Sequence, residues 1–163
     1  MRITTLLITG AATAACAALG GLASAPAVQS DWYEKLRKPP YQPPRQVFPV
    51  VWPALYTNIA VVSAGALDRL RASGADGERR TYQTALALNL TLNTAWSWLF
   101  FNRRKLGASV LLSAGLTASS ADLARRSITV LGLRAAPLAL YPLWCGFATV
   151  LSAGIWRRNR HVQ

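Results

Sequence analysis

Apolar residues in this 163-residue chain fall into five blocks, and the charges fall almost entirely between them. The blocks are 3–28, 46–67, 82–102, 106–121 and 135–156. A helix needs about 20 apolar residues to cross the hydrocarbon core of a bilayer. Four blocks meet that length, and the fourth does so once Asp122 and Leu123 carry it to the interface. In lipid every backbone N–H and C=O must be satisfied within the chain, so such blocks are helices. The reading is an all-α integral membrane bundle, multi-pass, with five transmembrane helices. They run at about 3–28, 46–67, 82–102, 106–123 and 135–156, in a single domain covering 1–163. Segment 29–45 is a stiff, aromatic, basic loop at the mouth of the bundle, 68–81 a solvated connection rich in Gly and charge, and 102–105 a tight turn.

The net charge of +12 does not point to nucleic acid. The basic residues form no stripe along one helix; they sit at block ends, where they anchor and orient spans. Counted by side, 29–45, 102–105 and the C-terminal tail carry ten Lys or Arg, and the opposite side carries eight. The difference orients the C-terminus toward the cytoplasm. Arg2, the first apolar run and Ala23-Ser24-Ala25 resemble a secretory signal. The length of the run, Pro26 directly after the would-be cut, and four further spans favour an uncleaved helix.

Both cysteines, Cys16 and Cys145, lie inside apolar blocks, where a thiol acts as a small hydrophobe. There is no metal-ligand spacing, and the lone histidine, His161, is on the tail, so no metal site is expected. No Asp, Glu, Lys, Arg or His occupies the middle of a span. That counts against an ion-coupled pump and leaves no acid–base or nucleophile set for a conventional enzyme.

What the chain does hold is aromatic area and amide. Residues 32–56 contain six of the fifteen aromatics and six of the nine prolines. Proline fixes φ and removes donors, so this stretch holds a shape. Trp52 and Tyr56 lie one turn apart on the second helix. Asn89, Asn93, Trp96 and Phe100 share a face of the third. Tyr141, Trp144, Ala148 and Leu151 form a stripe on the fifth, with Phe147 beside it. A mid-membrane asparagine needs a partner; for Asn93 the sequence leaves open a helix–helix hydrogen bond or a ligand contact. A deep Trp among aromatics suits a flat, apolar ligand. Small residues at four-residue spacing (Ala17, Gly21, Ala25; Ala87, Thr91, Ala95) allow close helix approach, within the chain or across a dimer seam on the third helix.

These residues resemble the TspO/translocator protein family. The resemblance rests on Trp32-Tyr33-x-x-Leu36-x-Lys38-Pro39-x-Tyr41-x-Pro43-Pro44, and on Val47-Phe48-Pro49-x-Val51-Trp52-x-x-Leu55-Tyr56. It continues in Leu92-Asn93-x-x-Trp96-Ser97-x-Leu99-Phe100-Phe101 and in Trp144-x-x-Phe147-Ala148-x-x-Leu151. It implies a compact five-helix bundle, homodimeric, with a cavity closed by the first loop. It implies binding of porphyrins, haem-like tetrapyrroles and synthetic isoquinoline or benzodiazepine-type ligands, with no obligatory cofactor. By position, Trp52, Asn93, Trp96, Trp144, Phe147 and Ala148 would line the cavity, and Trp32 and Tyr33 would come from the lid; Tyr56 joins them from the residue reading. The implied role is a receptor or sensor in tetrapyrrole metabolism or stress regulation. The alternatives are light-dependent porphyrin degradation using Trp52 and Trp144, or transport of tetrapyrroles or other lipophiles. Departures from the family pattern are Tyr41 in place of Trp, Ser152 in place of Asn, and Pro142 two residues late. Membrane lipid is a further partner; the pattern that accompanies cholesterol binding is missing.

Overall fold

The computed structural model describes residues 1–160; His161 lies outside the described residues. It is an all-α bundle of five long helices, as the block pattern implies. They are α1 (Ile3–Ala27), α3 (Phe48–Ala72), α4 (Asp76–Ser97), α5 (Leu106–Leu131) and α6 (Leu140–Arg158), with a five-residue helix α2 (Asp31–Lys35) in the first loop. Helix α5 packs on α6, α4 and α3, and α1 on α3 and α4. Segments Ile3–Ala27, Arg45–Ala72 and Leu106–Arg158 are long and apolar enough to cross a membrane, and the last contains both α5 and α6. Helix α4 is less apolar because its first turns carry Asp76, Glu78, Arg79 and Arg80 and its buried face carries Asn89 and Asn93.

Three boundaries differ from the block reading. Segment 68–81 is helical except at Ser73–Ala75. Gly74, at φ +68°, ends α3 in the left-handed conformation. Its N–H bonds Arg71 O at 3.2 Å and the Ala75 N–H bonds Leu70 O at 3.0 Å. That pair is a Schellman motif, which consumes the last carbonyls of α3 and lets α4 start at once. Helix α5 runs on to Leu131, past the expected interface at Leu123, and stops at Gly132, φ +62°. Arg125 and Arg126 both bond the Asp122 carboxylate, which allows the charged turn to stay helical. Residues Gly132–Ala139 form tighter 3₁₀-type turns, so α6 starts at Leu140 rather than near 135. Pro142 then falls in the first turn of α6, where proline is tolerated.

A chain of polar side chains crosses the core. The Tyr56 hydroxyl donates to Asn93 Oδ1 at 3.0 Å, and Asn93 Nδ2 donates to the Tyr141 hydroxyl at 3.0 Å. Tyr141 donates to Asn89 Oδ1 at 2.9 Å, and Asn89 Nδ2 to Ser119 Oγ at 3.2 Å. The chain joins α3, α4, α6 and α5, and Asn89, Asn93 and Tyr141 are all buried. A second junction lies nearer the charged end, where the Tyr82 hydroxyl meets Ser63 Oγ at 3.2 Å and Ser127 Oγ at 2.8 Å. Helix α1 is tied in by Thr9, which donates to Ala60 O at 2.9 Å, and by the Trp98 indole, which donates to Leu19 O at 3.0 Å. Its close approach to α4 is at Gly20, where an added Cβ would sit 3.2 Å from Ser97 Oγ. Ala87, Thr91 and Ala95 lie on the outer face of α4.

Tyr141→Phe and Tyr82→Phe should therefore differ. Losing the Tyr141 hydroxyl strands Asn93 Nδ2 and Asn89 Oδ1, at about 2–4 kcal/mol for two buried unpaired groups. Losing the Tyr82 hydroxyl leaves Ser127 still bonded to Leu123 O and strands one group, Ser63 Oγ, rather than two, so the cost is about half as large, roughly 1–2 kcal/mol. Thermal unfolding of the two variants in the same detergent checks the order; an equal fall in Tm would contradict it.

Candidate functional site

The site is assembled from the lid, residues 28–47, and the ends of α3, α4 and α6 beneath it. Ser30 begins α2 as its N-cap, accepting from the Tyr33 N–H at 3.4 Å. This turns Tyr33 and then Leu36 inward, and both are buried. Pro44, Pro49 and Pro53 lead from the lid into α3, with Arg45–Val47 forming a short 3₁₀ turn. Pro49 sits in the first turn of α3, where proline is tolerated.

Two bonds hold the lid's backbone. The Arg37 N–H donates to Asn159 Oδ1 at 3.0 Å, and Asn159 Nδ2 donates to Arg37 O at 3.0 Å. The same amide donates to Ile155 O at 2.7 Å, which aims it from the end of α6. Asn159 is 3% exposed, so these bonds are shielded from water. Further along, the Tyr41 hydroxyl donates to Val150 O at 3.3 Å. Its ring crosses α6 at Gly154, where an added Cβ would overlap the hydroxyl oxygen. A larger residue there would displace the Tyr41 hydroxyl from Val150 O. Lys38 Nζ stands 4.2 Å from the Tyr33 ring centroid. Partial burial, with Arg45 nearby, lowers the Lys38 ammonium below its ordinary pKa, and burial raises the Tyr33 phenol above its own.

Under the lid the aromatic residues form two groups. Trp32 meets Tyr33 and Phe100 at 6.4 and 6.3 Å between centroids, Tyr33 meets Phe101 at 6.1 Å, and Trp96 stacks on Phe100 at 5.4 Å. In the other group Trp52 stacks on Tyr56 at 5.5 Å. Trp144 bridges them, packed against the core beside Trp52 and Tyr56 and meeting Phe48 at 5.9 Å and Phe147 at 5.6 Å. Offset and edge contacts of this kind each contribute about 0.5–1.5 kcal/mol beyond burial. The Trp96 and Trp144 indole nitrogens are buried without a hydrogen-bond partner.

Of the residues anticipated for the site, Trp32, Tyr33, Trp96 and Phe147 pack together, and Trp52, Tyr56 and Trp144 pack on the main core. Ala148 is half-buried on α6, one turn beyond Trp144. Asn93 accepts from Tyr56 and donates to Tyr141, so the helix–helix bonding that its sequence allows is present, with one N–H and one lone pair of the amide left over. Two crevices open at the lid end. One of about 510 Å³ is bounded by Trp32, Leu36, residues 104–108 and Asn159. The other, about 600 Å³, lies beside Tyr41 and Gly154 on the outside of α6. Apart from Trp32, none of the anticipated site residues lines either. Sequence reasoning missed Asn159 and Phe101; Asn159 had a signal in its place directly after the last charged turn of α6, the position of a polar cap.

Replacing Asn159 with Ala removes both bonds to Arg37 and leaves the lid held by side chains alone. At about 1.4 kcal/mol per tenfold and about 1–3 kcal/mol for the lost bonds, amide exchange at Arg37 should rise by roughly 5- to 100-fold. Exchange near Ala60 in α3 should be unchanged. Hydrogen exchange read by mass spectrometry checks both; an unchanged lid would remove Asn159 from this role.

Comparison with known proteins agrees with this architecture. The TspO/MBR family profile matches residues 8–157. The sheep (Ovis aries) "Translocator protein" is 33% identical over 134 residues, 79% of this chain and 75% of its own length. "Protein CrtK" of Rhodobacter capsulatus is 31% identical over 151 residues, covering 89% and 87%. "Tryptophan-rich protein TspO" of Bacillus cereus is 26% identical over 132 residues, covering 81% and 83%. With the profile spanning nearly all of the bundle and all five long helices in place, this chain is an integral membrane protein belonging to the TspO/MBR family.

Proposed function

We propose that this protein is a membrane receptor or sensor that binds porphyrins and related flat lipophilic ligands between its lid and the aromatic ends of α3, α4 and α6. The observation that carries the reading is the pair of buried, unpartnered indole N–H groups on Trp96 and Trp144. An unpaired buried donor costs about 1–3 kcal/mol. A ligand that presents acceptor atoms to these donors recovers that cost, and its flat ring replaces aromatic contacts that the packed side chains give up. The site's chemistry is thus a wide apolar surface with few, directed donors, the usual make-up of a small-molecule pocket. Basic residues of the lid, Arg37, Lys38 and Arg45, stand at its mouth to meet acidic substituents. Entry requires the lid to move, because Tyr33 and Leu36 are buried in the docked form.

The sole histidine of the chain is on the tail, so the bundle supplies no imidazole to an iron centre. Protoporphyrin should therefore bind at least as tightly as haem. Titration of the purified protein with each, followed by tryptophan quenching, checks this; much tighter haem binding with a six-coordinate spectrum would refute it. Trp144→Phe keeps an aromatic ring, smaller than indole, and removes the donor. It should weaken protoporphyrin binding by roughly 5- to 100-fold, from about 1–3 kcal/mol, with little change in Tm. Unaltered affinity would take Trp144 out of the site.

A further inference from the structure

We propose that the crevice between the lid and the α4–α5 turn holds the phosphate headgroup of an anionic membrane lipid. Its walls are Trp32 and Leu36 on the lid, Arg104 and Lys105 on the turn, Leu106 at the start of α5, and Asn159. At about 510 Å³ it falls within the range of small-molecule sites, roughly 300–1,000 Å³. It lies where α4 and α6 end and α5 begins, which is the level of lipid headgroups for helices that span a bilayer.

Charge selects the occupant. Residues 29–45, 102–105 and 157–160, all at this end, carry ten Lys or Arg and two acids; residues 1–2, 68–81 and 122–134, at the other end, carry eight and four. At the far end Asp76 and Asp122 neutralise Arg79, Arg125 and Arg126 through pairs of short contact. At the lid end the one ion pair among the described residues is Arg45 with Glu34, at 3.9 Å. Arg104 and Lys105 have no carboxylate partner among the described residues, and both face the crevice. The Arg104 guanidinium lies 5.1 Å from the Trp32 ring centroid, a cation–π contact that favours its position at the crevice. Trp32, Leu36 and Leu106 supply an apolar floor, which suits the glycerol and first acyl carbons of a lipid more than a free anion. The Asn159 amide is spent on Arg37 and Ile155 and closes the back wall. Cations at a membrane surface attract anionic headgroups in any case; the crevice adds a place where one headgroup is held.

The full chain, purified in detergent, is titrated with phosphatidylglycerol and, separately, with phosphatidylcholine, and bound lipid is counted by native mass spectrometry. One phosphatidylglycerol per chain should be retained over phosphatidylcholine. Each cation near the surface contributes roughly fivefold, so Arg104→Gln with Lys105→Gln should weaken retention about 25-fold. The control, Arg69→Gln with Arg71→Gln at the far end, removes the same charge and should leave retention as in the wild type. Equal loss in both double variants would reduce the site to a diffuse basic surface and overturn the proposal. So would full displacement by millimolar inorganic phosphate, which would make the ligand a free anion. Wild-type protein gives an independent reading should the variant fold poorly: retention must fall with added salt, and a salt-insensitive affinity would also refute the assignment.

Discussion

The bundle depends on a line of hydrogen bonds that runs one way through its centre, from Tyr56 through Asn93, Tyr141 and Asn89 to Ser119. In lipid, apolar side chains gain little by leaving hydrocarbon for one another, so helix association relies on close packing and interhelical bonds. Here the bonds reach α3, α4, α5 and α6, and each amide uses a donor and an acceptor. Satisfied polar chains of this kind fix one arrangement of helices, whereas a single missing member leaves neighbours stranded in a medium with no water to offer. The Ser113, Thr117 and Thr149 hydroxyls extend the same principle along the α5–α6 seam.

This line also sets the limits of the aromatic site. Tyr56 is at once the first donor of the chain and the stacking partner of Trp52, so the register of the core and the pose of that indole are coupled. Trp144 lies one turn beyond Tyr141 on α6 and inherits its position from the same hub. Above them the lid contributes Tyr33 and Leu36 as plugs rather than as a loose cover. Under the proposed binding of a flat ligand, rings packed on one another would be exchanged for the ligand's ring at small net cost, which is a reason for aromatic residues to dominate here.

Much of this was legible in the residues. Five blocks separated by charge imply five helices because lipid leaves the backbone no other choice. The faces on α3, α4 and α6 follow from helical spacing alone. Helix lengths were less legible: hydropathy marks the hydrocarbon, not the end of hydrogen bonding, so α3 and α4 run through a charged stretch to a single Gly74. The partners of Asn93 could not be read from the sequence, since Tyr56 and Tyr141 converge on it from other helices. Asn159 lies 122 residues from Arg37, and no periodicity links them. The unpartnered indoles of Trp96 and Trp144 are likewise a property of packing, since interface and interior tryptophans read alike in a sequence.

The Asn159 contact makes the middle of the lid a mechanical extension of α6. Two bonds to one residue's backbone resist sliding and twisting together, so Arg37 follows the end of that helix as a lever follows its axle. Tyr41 over Gly154 adds a second bearing one turn further back. With its centre so fixed to α6, the lid is joined to α1 at Val28–Ser30 and to α3 through the stiff pair Pro43–Pro44. A tilt of α6 would then be converted into travel of Trp32 and Tyr33 across the mouth, and the strength of one buried amide would set how much tilt the lid transmits before it slips.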